Sequence, residues 1–346
     1  MLNLSAFFTA ICVLVLALAS SVLSAAPKAY VPRFGTDDMV IFATGSEMVV
    51  DTVAVGEAPL GIAVSPDGSR IYVATTLDGL FVFDGSTGMQ LANSPIDTAD
   101  GLNTGLYSVV VSPDGTKAYV TQGGNIYVVD ATTNTLDITP VNAGTELRGM
   151  AISPDGGSLY AADWSGGSGQ VVVVDTVTEM VSNIAVGTRP QGVAASPDGN
   201  RVYVTDFVDE TVTVIDATTN TVVGSPISLP MGAFPFTVVV SSDSSKVYVG
   251  NLSSGTVSVI NTATLMIDAT IPVGTQAGVL GLSITEDGTR LYVAHDEGMN
   301  DSLSVFNTAT NALIDTYILG DGMGEITGHF LGPGVVPVEL QTFRID

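Results

Sequence analysis

Apolar residues along this chain come in short, nearly unbroken runs, separated by brief polar turns at an almost constant interval. Every interval reads alike. A first run, such as Gly61-Ile62-Ala63-Val64 or Gly192-Val193-Ala194-Ala195, leads into Ser-Pro-Asp-Gly or a degenerate copy. A second run is centred on tyrosine: Ile71-Tyr72-Val73-Ala74, Val202-Tyr203-Val204-Thr205, Leu291-Tyr292-Val293-Ala294. A third closes on Asp or Asn, as in Val173-Val174-Asp175 and Val259-Ile260-Asn261, and a Thr/Asn-rich turn follows. A fourth run breaks at Val-Gly, as at Val186-Gly187 and Val273-Gly274. The runs are β-branched, and no helical period of useful length occurs after residue 26, so all of them predict strands. Unbroken rather than alternating apolar runs suit sheets covered on both faces.

The interval itself specifies an architecture. The Ser-Pro-Asp-Gly turn or its copy starts at Ser65, Ser112, Ser153, Ser196, Ser241 and Thr285, in steps of 47, 41, 43, 45 and 44 residues. Four strands in such a period make one propeller blade. In the turn, Pro presets φ, Asp bonds to nearby backbone, and Gly takes positive φ. Six units carry their own first strand, and the chain ends supply a seventh. Gly328 to Pro333 aligns as a first strand, Ala29 to Pro32 as a second, and Met39 to Phe42 and Met48 to Val55 as the third and fourth. A blade shared between the termini closes the ring and removes free sheet edges. The expected fold is all-β: a seven-bladed β-propeller with four antiparallel strands per blade.

The Tyr-Val-Thr motif, the Val-x-Val-Ile-Asp strand and the Ser-Pro-Asp-Gly turn together resemble the YVTN-repeat propellers, over about residues 29–333. That group is similar in fold to lactonase-type seven-bladed propellers and to the haem d1 propeller of cytochrome cd1 nitrite reductase. The resemblance implies the fold. It leaves function open, because enzymes, electron-transfer partners and surface proteins share it.

Residues 1–26 are a different kind of sequence. Phe7 to Leu23 is almost wholly apolar and is followed by Ser24, Ala25 and Ala26, the pattern of a signal-peptide core and cleavage site. No Lys or Arg precedes it, and its length also fits an N-terminal anchor. Either reading sends the rest across a membrane, so a secreted, periplasmic or cell-surface location is expected. The propeller then occupies residues 27–334, and residues 335–346 form a tail with strand-like alternation. The one cysteine, Cys12, lies in the leading segment, which leaves the remainder without disulfides or thiolate chemistry. With 35 acidic and 10 basic residues, the formal charge is −25, which disfavours nucleic acid and anionic lipid as partners. A protein, a glycan or a cationic small ligand is the expected partner, and the chain is expected to be a monomer, with no membrane contact once a signal is cleaved.

Candidate chemistry gathers at one end of the blades. Residues that follow the second strand form one ring around the expected channel mouth: Arg33, Thr75, Gln122, Asp163, Asp206, Asn251 and His295. Entrances to the first strands form another: Leu60, Tyr107, Arg148, Gln191, Phe236, Leu280 and Thr327. Both rings are irregular, whereas the turns at the opposite end are near copies. Trp164, the only tryptophan, belongs here with Arg189, Phe34 and Phe207. The ligand-binding candidates are Arg33, Gln122, Arg148, Asp163, Trp164, Arg189, Asp206, Asn251 and His295. No cofactor is predicted; calcium is a candidate at the carboxylates Asp296, Glu297 and Asp301, whose spacing fits no EF-hand. His329 reads as a packed strand residue. Arg70, Lys117, Arg201, Lys246 and Arg290 share one slot after the Asp-Gly turn and read as solvated turn charges.

The leading functional expectation is a non-catalytic, extracytoplasmic binding scaffold with its ligand at the loop-rich mouth. One alternative is a lactonase-like hydrolase using Arg148 or Arg189 with Glu146 and His295, which requires those groups to converge on one ligand. Another is a redox-accessory propeller.

Overall fold

A computed structural model describes residues 28–96, 104–137, 139–165, 167, 169–274, 278–296 and 301–320. The described residues contain strands and turns and no helix. They form seven separate antiparallel sheets, numbered here as blades 1 to 7 in chain order. Blade 1 holds Lys28–Arg33, Asp38–Ala43 and Met48–Ala54, and blade 2 holds Pro59–Val64, Arg70–Thr75 and Leu80–Asp84. The outer position of blade 2 is taken by two bridges, Leu80 to Ile96 and Phe83 to Gln90. Blade 3 runs Leu106–Val111, Lys117–Gln122 and Asn125–Asp130, with an outer edge split into Thr135–Leu136 and Val141–Asn142. Blade 4 has four full strands: Leu147–Ile152, Ser158–Asp163, Gln170–Asp175 and Val181–Ala185. Blade 5 comprises Pro190–Ala195, Arg201–Asp206 and Thr211–Asp216, with a split edge of Thr221–Val222 and Ile227–Ser228. Blade 6 comprises Pro235–Val240, Lys246–Asn251, Thr256–Asn261 and Met266–Pro272; blade 7 comprises Gly278–Ile284, Arg290–Asp296, Asp301–Asn307 and Leu313–Gly320. The expected closing strand, Gly328 to Pro333 with His329, lies outside the described residues, as do residues 1–26 and the tail.

The repeated turns are stabilised by their own side chains. At Ser65-Pro66-Asp67-Gly68, Ser65 Oγ donates to Asp67 Oδ1 at 2.6 Å and accepts the Arg70 N–H at 2.9 Å. Gly68 closes the turn at φ 69°, a conformation that costs a residue with a Cβ. The same bonds recur at Ser112, Ser153, Ser196 and Ser241. At the Thr/Asn turn, Asp216 Oδ1 accepts the N–H groups of Thr218 and Thr219, and Asn220 takes φ 53°.

Core packing runs between blades as much as within them. Tyr72, Tyr160, Tyr203, Tyr248 and Tyr292, one per repeat, are among the largest fully buried side chains. One apolar cluster joins Tyr30, Val31 and Phe42 of blade 1 to Ile62 and Val73 of blade 2 and to Tyr292 and Leu303 of blade 7. The first three strands of a blade are therefore almost wholly buried, and the outer strand is exposed, as in Met48–Ala54.

Several residues in the basic slot are inter-blade clasps, a correction to their reading as solvated charges. Arg70 donates to Asn134 Oδ1 and Thr132 O of the next blade, and Lys246 donates to Thr308 O of the next. Arg290 of blade 7 pairs with Glu47 of blade 1, and Lys28 of blade 1 donates to the backbone oxygens of Gly85 and Ser86 in blade 2. The slot faces the next blade's outer hairpin, so a long cationic side chain reaches its carbonyl and side-chain oxygens.

At the axis, the inner strands touch backbone to backbone. A Cβ built on Gly61 would lie 2.6 Å from Tyr107 O, one on Gly149 2.4 Å from Gln191 O, and one on Gly192 2.8 Å from Phe236 O. Each glycine thus admits the carbonyl of the next blade's entrance residue. Gly149→Ala is expected to force blades 4 and 5 apart and to cost about 1–3 kcal/mol, in the range of overpacked cores. Urea unfolding checks this; an unchanged midpoint would contradict the contact.

Candidate functional site: the polar ring and the arginine–aromatic arc

Entrances to the first strands and exits from the second strands meet at one end of the channel, as the pairing of Pro190 with Asp206 and of Leu147 with Asp163 requires. Leu60, Tyr107, Gln191, Phe236 and Leu280 line the axis, and a cavity of only about 30 Å³ remains between the inner strands. That is room for one or two waters. A ligand larger than that finds no room in this cavity.

Most of the second-strand ring is not on the mouth surface. Asp163, Asp206, Asn251 and His295 are fully buried, each inside its own blade. Asp163 accepts the N–H groups of Thr145, Glu146 and Ser165 and the Gln170 amide. Asp206 accepts Gly187 N–H at 3.0 Å and the hydroxyls of Thr211 and Thr213 at 2.9 and 2.6 Å. Asn251 donates to Thr256 Oγ1 and Ser258 Oγ, both at 2.9 Å. His295 Nε2 lies 2.9 Å from Ser304 Oγ. Thr75 closes the corresponding hairpin of blade 2, donating to Gly79 O and accepting Asp78 N–H. These groups are polar knots that tie the second strand to the third and, at Asp163 and Asp206, to the incoming loop. Gln122, half-buried, donates to Thr104 O. Arg33 forms a bidentate pair with Asp38 and donates to Leu319 O, which places it at the seam of blades 1 and 7.

Burial separates the titrations of the knots. Burial pushes Asp163 up, but its accepted hydrogen bonds outweigh that and hold it below the ordinary carboxylate range. For Asp206 burial dominates, its three bonds offset only part, and the pKa rises to about 6. Burial lowers His295 to about 4, so the imidazole is neutral at pH 7. Asp301 is raised to about 7, mainly by burial and secondly by the Asp296 charge. Asp296 and Asp301 face each other across a strand pair, and no three His, Cys, Asp or Glu side chains converge on a metal-sized space among the described residues. Glu297 lies outside them.

The mouth surface itself carries an arc across blades 3 to 6. Arg148 stacks on Tyr107, 4.5 Å from the ring centroid, and on Trp164 at 5.2 Å, and it pairs with Glu146. Arg189 lies 5.4 Å from the Trp164 centroid. Trp164 packs on Phe207 at 5.4 Å, and Phe207 on Phe234 at 5.3 Å. Beneath, Gln191 donates to the Tyr107 hydroxyl. Tyr107, Arg148, Trp164, Phe207 and Phe234 are half-buried, and Arg189 is exposed. Of the nine ligand-binding candidates, the structure brings together Arg148, Trp164 and Arg189. His295 does not join them.

Phe234 is the arc residue that sequence reasoning missed. Its signal was the Phe234-Pro235 pair, which matches Ala58-Pro59 and Arg189-Pro190. All three pre-proline residues have positive φ, 55°, 54° and 47° for Ala58, Arg189 and Phe234. Such a conformation is uncommon for a bulky residue and is held by its surroundings. Here the Arg189 and Phe234 carbonyls accept the N–H groups of Phe207 and Leu252.

Asp206 supplies a test of the knots. Its folded pKa of about 6 exceeds the ordinary unfolded value, so the cost of its buried charge is absent below about pH 4 and complete above the folded pKa. Asp206→Asn copies blade 6, where Asn251 bonds to hydroxyls at the same positions. Between pH 4 and pH 8 the variant's stability is expected to improve relative to the parent by up to about 3 kcal/mol. Urea titrations at both pH values check it, and a pH-independent difference would contradict it.

No family model matches the chain. Part of it is 32% identical over 122 residues to Seven-bladed beta-propeller protein Rv1057 of Mycobacterium tuberculosis, a match covering 34% of this chain and 30% of that protein. The chain therefore aligns with under a third of the length of that relative. The fold is similar to a chain of Kuenenia stuttgartiensis hydrazine synthase (TM-score 0.68, 18% identity, 85% of this chain and 93% of that one). It is also similar to a functionally unknown protein from Desulfotomaculum acetoxidans DSM 771 (TM-score 0.69, 20% identity, 87% and 97%). A third likeness is to the dihydro-heme d1 dehydrogenase NirN, solved in complex with DHE (TM-score 0.63, 15% identity, 88% and 75%). At these identities the structural likenesses speak for fold alone. Taken with the repeat and the seven sheets, they identify the chain as a seven-bladed β-propeller.

Proposed function

We propose that this propeller is a non-catalytic, extracytoplasmic recognition module whose ligand sits on the arginine–aromatic arc of the channel mouth. The observation that carries this reading is the arc itself: Tyr107, Arg148, Trp164, Arg189, Phe207 and Phe234, contributed by four consecutive blades and joined by ring and cation–π contacts. Half-buried Trp, Tyr and Arg side chains give large contact area at low ordering cost, and such residues dominate binding hot spots. The Arg148 guanidinium, already stacked and paired, holds Tyr107 and Trp164 in place, so the surface is preorganised.

The hydrolase reading requires Arg148 or Arg189, Glu146 and His295 to face one lactone. The first three are near one another, but His295 is buried in blade 7 against Ser304. The scaffold reading needs no such convergence.

Trp164 is the chain's single tryptophan, so its emission reports on the arc without interference. A panel of oligosaccharides, peptides and organic acids titrated into the protein is expected to yield ligands that shift Trp164 emission. Phe207→Ala is expected to weaken them about tenfold, the loss of one aromatic contact of roughly 1.4 kcal/mol. A ligand that raises the melting temperature but leaves both Trp164 emission and the variant's affinity unchanged would place recognition elsewhere.

A further inference from the structure

The two arginines of the arc are not equivalent. Arg148 is engaged by Glu146 and by two rings. Arg189 takes part in none of the three ion pairs of the described residues, which join Arg33 to Asp38, Arg148 to Glu146 and Arg290 to Glu47. Its guanidinium is nevertheless held beside the Trp164 ring, in a chain whose acidic residues outnumber its basic ones by 35 to 10. The nearby carboxylates are occupied with backbone: Asp206 with Gly187 N–H, Asp209 with Thr188 N–H, and Glu210 with Gly232 N–H.

Those bonds fix the loop that presents Arg189. Gly187 N–H and Thr188 N–H are held by the two aspartates, and the Thr188 and Arg189 carbonyls accept the N–H groups of Val208 and Phe207. The following Pro190 is buried and begins the inner strand. Arg189 is thus a cationic fork with five N–H donors on a rigid, left-handed backbone position. Beside it lie the accessible parts of Trp164, and beyond that ring Phe207 and Phe234. A guanidinium so placed pairs bidentately with a carboxylate, and the neighbouring rings accept a flat apolar group.

We infer that the arc recognises a carboxylate carried next to an aromatic ring, with Arg189 as the carboxylate's partner and Trp164 and Phe207 as the ring's. This rests on the arc being the ligand site and adds the chemical class. The strongly negative chain repels every acid at long range, the recognised one included, so the affinity for a carboxylate has to come from this local fork. Both a free arylalkanoic acid and a peptide ending in phenylalanine carry this chemistry.

The test uses four probes with the full chain: 3-phenylpropanoate, its primary amide, a short peptide with a C-terminal phenylalanine carboxylate, and the same peptide amidated. Trp164 emission and calorimetry give the affinities. Each acid is expected to bind at least tenfold more tightly than its amide, and Arg189→Gln is expected to erase that gap while leaving the melting temperature and amide binding unchanged. Preference for the peptide acid assigns the carboxylate to a protein partner, and preference for the small acid assigns it to a metabolite; either supports the inference. Equal binding of acid and amide overturns the role of Arg189 but leaves the arc as the site. Silence from all four probes, with a response to neutral oligosaccharides at Trp164, also overturns it and keeps the arc. Silence from every ligand class at Trp164 sinks both readings.

Discussion

The close approach of each inner-strand glycine to a carbonyl of the next blade is the constraint on which the molecule depends. Gly61 meets Tyr107 O, Gly149 meets Gln191 O, and Gly192 meets Phe236 O. These contacts set the spacing of the blades at the axis, and the cavity between the described inner strands is only about 30 Å³, room for one or two waters. They also fix the entrance residues themselves, because the carbonyl that touches the glycine belongs to the residue whose side chain faces the mouth. Tyr107, Gln191 and Phe236 are positioned by the same backbone contacts that hold the ring together.

Outward from the axis, the blades reuse a few devices. The Ser-Pro-Asp-Gly turn is fixed by its own serine and aspartate. Buried tyrosines fill the space between sheets. Long cations from the second strand reach the next blade's outer hairpin, and at the join of blades 7 and 1 that clasp is the pair Arg290–Glu47. Exposed ion pairs contribute little individually. Their location at successive seams means that they add to blade registration and not to the core of any one sheet.

Much of this was legible from the chain, because the demands of a blade recur in every repeat. The period, the strand order and the turn chemistry could be read from Ser65, Ser112, Ser153 and Ser196 alone. The polar ring was harder. Asp163, Asp206, Asn251 and His295 differ from one another, and irregularity at a mouth suggested ligand contact. The structure gives a local reason for the differences: each buried group is matched to its own third strand, Asp206 to Thr211 and Thr213, Asn251 to Thr256 and Ser258, His295 to Ser304. The signal was present as hydroxyl residues interrupting otherwise apolar strands, Thr211-Val212-Thr213 in blade 5 against Gln170-Val171-Val172 at the same positions of blade 4. The basic slot was misread for a different reason: a sequence shows the turn a cation follows, not the neighbouring hairpin it reaches. The arc could be only half seen, because Tyr107, Trp164, Phe207 and Phe234 come from separate blades and meet only when the ring closes.

Under the proposed function, the mouth has a buried layer that supports the fold and a surface layer that meets a ligand. Thermal unfolding of Asp163→Ala and Arg189→Ala, measured side by side with the parent, tests that division most directly. Asp163 satisfies three backbone N–H groups and an amide, so its loss is expected to lower the midpoint by several degrees, as befits buried donors left unpaired. Arg189, with no ion pair among the described residues, is expected to leave the midpoint unchanged. A stable Asp163→Ala beside an unstable Arg189→Ala would contradict the account, because it would make the fork a structural element and the buried aspartate dispensable.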